Sequence, residues 1–470
     1  MVFASISFLY YFLPIVLLVY YLLPQAGKNI VLLLASLVFY FYSEPVYIFL
    51  MLLAITSGYL HGLIIDKFIK LKKQKFARMA MISSVVVSIG MLAFFKYADF
   101  FLANINFLFN TDFSLLRLVQ PIGISFYTFQ ILSYTIEVYR GTVDVQRNFF
   151  HFALYVSFFP QLIAGPIVRY IDVAAKLDFR FHSWADFALG VRRFIIGLAK
   201  KVLLANVLGE LCSTFKIVNE KTVLFYWLYA LAFTLQIYFD FSGYSDMAIG
   251  LGKIFGFDFP ENFNYPYIAQ SITEFWRRWH ISLGTWFRDY LYIPLGGSRV
   301  STIRWLLNIL LVWLVTGFWH GADWNFIFWG LFYGFLLIME KFFYRHLIEK
   351  LPSFFSHVYV LFCVIIGFVI FNANDISDAV LNVKGMLGLL EVPLFNQEAL
   401  YYLQSYAVVL VTGIICATPC VNKLIKKVKS RKKGGLIINL AEPVFLSALL
   451  LTVTAYLVDG SFNPFLYFRF

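Results

Sequence analysis

The stretch VYIFLMLLAITSGYLHGLII, residues 46–65, followed almost at once by KFIKLKKQKFAR, residues 67–78, sets the class of fold. The first is an uncharged apolar run of the length a helix needs to cross a hydrocarbon layer about 30 Å thick. The second crowds lysines and an arginine against its end, as cytoplasmic loops of membrane proteins do. The whole chain has the same character. Of its 470 residues 61% are hydrophobic, 20% aromatic and only 14% charged, and the mean hydropathy is +0.77. Soluble domains carry roughly a quarter charged residues, so this chain lacks the polar surface of one. Intrinsic disorder, a disulfide scaffold, a collagen-like fibre and a nucleic-acid-binding domain are excluded together. The net charge of +12 is then read as setting orientation and attracting anionic lipid.

Laying a ruler of about 20 apolar residues along the chain finds about eleven spans. Candidates are 8–23, 30–42, 46–65, 79–95, 122–138, 194–211, 224–239, 305–319, 326–339, 358–371, 406–418 and 436–458, several of them short or broken. Three further apolar segments, 155–167, 242–257 and 280–295, are interrupted by Pro, Gly or polar residues. They are expected to be re-entrant or tilted segments lining a cavity, or interfacial helices lying flat. The predicted fold is therefore an all-α polytopic membrane protein in one domain, 1–470. Basic clusters at 67–78, 192–201, 299–304, 341–350 and 423–433 are expected on the cytoplasmic side, which places both termini outside. Between Arg140 and Arg299 the parity of spans is open. No signal-peptide cleavage site and no internal repeat is visible.

Cys212, Cys363, Cys416 and Cys420 form no C-x-x-C pair, so neither redox nor metal chemistry is expected. The ionisable residues that an apolar chain retains carry more weight, because burying one costs several kcal/mol unless it is paired or wet. His320, in TGFWHGADW, and His280, in TEFWRRWHISL, stand apart from five histidines near loops or basic clusters. The imidazole of His320 has the ordinary pKa of a general base, and aromatic neighbours would hold it neutral; a core histidine bonded to a carbonyl fits the same residues. Trp276, Arg277, Arg278 and Trp279 suit a site for the phosphates and planar ring of a cytosolic donor such as coenzyme A, or an interfacial anchor. Asp240, Asp246 and Asp323 are the acids nearest apolar segments, able to orient a His or Arg, to bind a cation, or to form structural ion pairs. The His61–Asp66 pair and the glycines at 250, 252 and 256 mimic catalytic and dinucleotide motifs without their context.

QPIGISFYTFQ (120–130), FPQLIAGPIVR (159–169), the 240–250 segment, ENFNYP (261–266), the 276–297 segment and WHG (319–321) together resemble the membrane-bound O-acyltransferase family, in particular its bacterial alginate O-acetyltransferase branch, with relatives acting on cellulose and peptidoglycan. The resemblance covers essentially the whole chain. It implies a ridge of tilted helices around a thin central tunnel, joining a cytosolic donor site to an extracytoplasmic acceptor site. It implies acetyl-CoA as donor substrate with no bound cofactor and no metal, His320 as the family's invariant histidine and His280 as its second. The ending NPFLYFRF (463–470) resembles the aromatic tail of this branch and of partner peptides in D-alanylation relatives, which makes Tyr467 a candidate acyl carrier in an extracytoplasmic tail, 461–470. An interfacial anchor is the plainer reading of that tail.

The expected protein is an O-acetyltransferase of the bacterial cytoplasmic membrane. It would pass acetyl groups to an extracytoplasmic partner acetyltransferase acting on a polysaccharide. The alternative is a transporter or flippase of an acyl or lipid-linked sugar substrate, which would also use broken helices and buried acids but favours internal repeats.

Overall fold

A computed structural model describes residues 1–344, 350, 352–460, 463 and 466. Among these the regular structure is helical. Among the described residues nine helices are long and apolar enough to cross a membrane: Gln25–Ser43, Ile48–Lys70, Gln74–Phe109, Val223–Ile254, Thr302–His320, Trp324–Tyr344, Ser353–Asn372, Gln397–Cys416 and Gly434–Asp459. The chain is thus a multi-pass membrane protein. Large apolar side chains such as Leu440, Val444, Phe445 and Leu451 of the last helix are exposed, as a lipid-facing surface requires, since lipid and not protein covers them. Cys420–Lys429 is strongly amphipathic, with Lys423, Lys426, Lys427 and Lys429 on a short helix having no buried residue, the pattern of a helix lying in the interface.

The chain packs into two compact units, one of residues 1–194 and 245–260, the other of 195–244 and 261–470. The first has an aromatic core. Phe8, Phe12, Phe39 and Phe159 meet with ring centroids 5.5 to 6.2 Å apart. Arg180 is buried there, donating through Nε to the Tyr20 hydroxyl and to the Phe255 carbonyl, both at 3.0 Å. The second unit is built on Val223–Ile254 as far as Tyr244, the Thr302–His320 and Trp324–Met339 hairpin, and Ser353–Asn372, around a core in which Phe275, Trp279, Trp329, Tyr333 and Phe368 are buried.

Two expectations from the sequence need correction. The 242–257 segment is not interrupted before Ile254: helix Val223–Ile254 continues through it to that residue, and a turn at Gly256 follows. Its glycines serve close approach. A Cβ at Gly250 would stand 2.6 Å from the Gly190 carbonyl oxygen, so Gly is needed for contact and not for a break. The 122–138 and 194–211 runs are helical but are not among the long apolar helices. Ile124–Arg140 is 17 residues with almost every side chain buried, and the other run is divided among Trp184–Ala199, a wider π-helical turn at Lys200–Asn206 and Val207–Ile217. By contrast 155–167 is broken as expected, between Phe149–Ser157 and Phe159–Leu162.

Candidate active site

His320 is the last residue of Thr302–His320, at the tip of a tight helical hairpin. Gly321 continues in extended conformation and Asp323 caps the returning helix, its carboxylate accepting the Trp324 N–H at 2.6 Å. The two helices touch through glycines. A Cβ on Gly317 would collide with the Phe326 carbonyl oxygen, and one on Gly330 with the Trp313 carbonyl. Backbones this close hold the tip rigidly. The His320 ring is buried among aromatics, with Trp319 at 5.0 Å, Trp329 at 5.1 Å and Phe371 at 5.3 Å, all met edge to face. Phe371 is positioned by Asn325, whose amide donates to the Ala373 carbonyl at 2.9 Å and to that of Phe371 at 3.4 Å.

His280 lies in the same unit, between the short helices Ile272–Arg278 and Ile281–Phe287. It is buried, and its backbone is left-handed at φ 44° and ψ 53°, a conformation costing a non-glycine residue about 1–3 kcal/mol. Such strain persists only where surrounding bonds enforce it. Here Nδ1 is hydrogen-bonded to the Asn262 amide oxygen at 3.1 Å, and the Asn262 carbonyl accepts the Ile281 N–H at 3.0 Å. The ring of Phe241 lies edge-on at 4.6 Å, and Trp319, next to His320, at 6.3 Å. Burial first, then the positive charge that His320 can carry, pushes His280 well below the usual imidazole range.

The segment carrying His280 is fastened at its other end by Glu340. That buried carboxylate accepts the N–H groups of Ile272 at 2.6 Å and Thr273 at 3.2 Å, capping the helix start where backbone donors have no partner within the helix. The four residues before His280 then fall in different surroundings. Trp276 packs against Trp313 at 4.7 Å and Tyr333 at 4.8 Å, and Trp279 is buried against Phe368. Arg278 is committed to Glu274 at 2.8 Å and the Asn264 carbonyl at 3.1 Å, leaving Arg277 as the exposed member. Trp279 is thus buried and Trp276 half-buried, both packed on aromatic rings.

The three acids separate. Asp240 is buried in an ion pair with Lys201 at 2.5 Å, and its other oxygen accepts the Leu466 N–H at 3.0 Å. Asn206 also donates to the Asn463 side chain at 3.2 Å. Leu466 is therefore bound to the residue before Phe241, the ring that packs on His280. Tyr467 itself lies outside the described residues. Asp246 belongs to the other unit, bound by Arg193 at 2.9 Å, and Asp323 is a helix cap. Lys201, Asn262, Asn325 and Glu340 were not singled out in the sequence. Lys201 was concealed within a basic cluster, and Asn262 within the ENFNYP motif.

Residues 3–376 match the family described as MBOAT, membrane-bound O-acyltransferase. The chain belongs to that family. It is 39% identical to a protein named probable alginate O-acetylase AlgI of Azotobacter vinelandii, over the full length of both chains. It is 44% identical to the protein of the same name from Pseudomonas aeruginosa, with 81% of this chain and 73% of that one aligned. A peptidoglycan O-acetyltransferase of Helicobacter pylori is 35% identical, over 84% of this chain and 82% of its own. These relatives of the membrane-bound O-acyltransferase family are O-acetyltransferases by name, and His280 and His320 fall within the matched residues.

Proposed function

We propose that this protein is an acetyl-CoA-dependent O-acetyltransferase of the bacterial cytoplasmic membrane that delivers acetyl groups to an extracytoplasmic polysaccharide. The observation that carries the reading is the hold on Leu466. Its N–H is donated to Asp240, the residue before Phe241, whose ring packs on His280, and the hydroxyl of the next residue in sequence, Tyr467, is taken as the first acceptor. Acetyl-CoA approaches from the cytoplasm by way of Arg277. His320 takes the proton of the attacking hydroxyl, the oxygen adds to the thioester carbonyl, and the C–S bond breaks. The imidazolium returns its proton to the departing thiolate, leaving an acetyl ester and CoA-SH. The aromatic walls around His320 exclude water, which would otherwise hydrolyse the thioester.

With both termini outside, a partner acetyltransferase collects the acetyl group and transfers it to the polysaccharide. The names of the relatives support alginate or peptidoglycan as the acceptor class. A transporter without covalent chemistry would turn over no acetyl-CoA. The test is release of CoA thiol by purified protein in lipid vesicles, with the partner and without. Wild type should release it, and His320→Ala should be about 10²- to 10⁴-fold slower. Equal rates in the two proteins would refute the assignment.

A further inference from the structure

Asn262 stands outside the helices, 18 residues before His280, yet it ties down the turn that carries that histidine. Its Oδ1 is approached by three groups: the Ser282 N–H at 3.3 Å, the Ser282 hydroxyl at 2.9 Å and His280 Nδ1 at 3.1 Å. A peptide N–H can only donate, so the atom it meets is the amide oxygen and not the nitrogen. That oxygen can only accept, so Nδ1 carries the imidazole proton. In the neutral ring the lone pair is then on Nε2.

We infer that Asn262 is a positioning residue that fixes His280 in the Nδ1–H form, so that Nε2 acts as an acceptor of a proton or hydrogen bond. A neutral His280 in this form cannot donate to the thioester oxygen, so it does not polarise that carbonyl. What remains is an acceptor suited to align the attacking hydroxyl whose proton His320 takes. The Asn262 carbonyl bound to the Ile281 N–H holds the strained His280 backbone in the same grip. The catalytic consequence rests on the acetyl transfer proposed above, whereas the tautomer stands without it.

The test uses the full-length protein, labelled with 15N-histidine, in lipid nanodiscs, with His280→Gln identifying the His280 resonances. Wild type should show a protonated Nδ1 and an Nε2 bearing its lone pair. Asn262→Ala should mix the tautomers and lower kcat about a hundredfold, the scale of a misplacement of about 1 Å. Asn262→Asp keeps an acceptor oxygen and adds negative charge beside Nδ1–H. It should retain the tautomer while moving the rising limb of kcat to higher pH, because the imidazolium is stabilised. This variant carries both readouts if the alanine protein fails to accumulate.

A proton on Nε2 in wild type overturns the inference, and so does Asn262→Ala with unchanged tautomer and pH profile. A changed tautomer with unchanged turnover overturns the positioning role. Absence of acetyl transfer in every protein, wild type included, counts against the proposed function and leaves the NMR result standing.

Discussion

The carboxylate of Asp240 accepts the backbone N–H of Leu466 at 3.0 Å across 226 residues of chain, while its other oxygen holds Lys201. A buried ion pair is rarely a net gain in stability, because desolvating two charges offsets most of their attraction. The pair, which joins Lys200–Asn206 to Val223–Ile254, is better understood as a seat. One carboxylate serves a cation and a peptide donor together, and the donor is Leu466, the residue before Tyr467 in sequence.

Breaking that seat has two separable effects. Lys201→Met leaves Asp240 buried without its cation and should destabilise the protein by about 3–5 kcal/mol. Lys201→Met combined with Asp240→Leu should recover most of that stability but not turnover, since the tail has lost its acceptor. Thermal unfolding in detergent and CoA release by the same preparations measure the two effects.

The hairpin that presents His320 tolerates no side chain at Gly317. Gly317→Ala should force its Cβ against the Phe326 carbonyl, part the helices and lower turnover about a hundredfold through displacement of His320. The added methyl also brings a lower unfolding midpoint. A protein with wild-type turnover would show that the tip can shift without cost.

Asn325 connects the same tip to the end of Ser353–Asn372. Asn325→Leu should strand the Phe371 and Ala373 carbonyls and cost about 1–3 kcal/mol. Because Phe371 walls His320, turnover should fall as well. Unfolding midpoints and CoA release report both.

Acid stability of the first unit should depend on His182. Its Nε2 is hydrogen-bonded to the Tyr20 hydroxyl at 2.8 Å, and burial first, then the charges of Lys28 and Arg180, holds its pKa at about 4. Above its unfolded pKa of about 6.5 both states are neutral there and the residue confers no pH dependence. As pH falls toward about 4, the unfolded chain takes up a proton that the folded chain refuses, so stability declines. His182→Gln should flatten the unfolding midpoint between those pH values relative to wild type.

Much of this was legible in the sequence. The apolar runs, the break within 155–167 and the two histidines in aromatic settings follow from composition and spacing, because lipid imposes one solvent on every span. The failures share a cause. Glycines at 243, 250 and 252 were read through local propensity, which treats glycine as a breaker, whereas the contact made by Gly250 is to a backbone 60 residues away in sequence. Arg193 and Lys201 were counted within a cytoplasmic basic cluster, and both are bound by aspartates of the Val223–Ile254 helix. Partners that distant leave no local signal. Asn262 and Glu340 were missed for the same reason: each acts on a segment far along the chain, and neither residue type is unusual where it stands.

The central claim is a covalent relay through the C-terminal tail, and mass spectrometry of the intact C-terminal peptide tests it most directly. The protein, reconstituted in lipid, is incubated with labelled acetyl-CoA as wild type, His320→Ala and Tyr467→Phe. A relay through Tyr467 requires label on that residue in wild type and none in either variant. An unlabelled tail in a wild-type protein that still consumes acetyl-CoA in a His320-dependent way would contradict it, and would mean that acetyl passes directly to a partner or sugar.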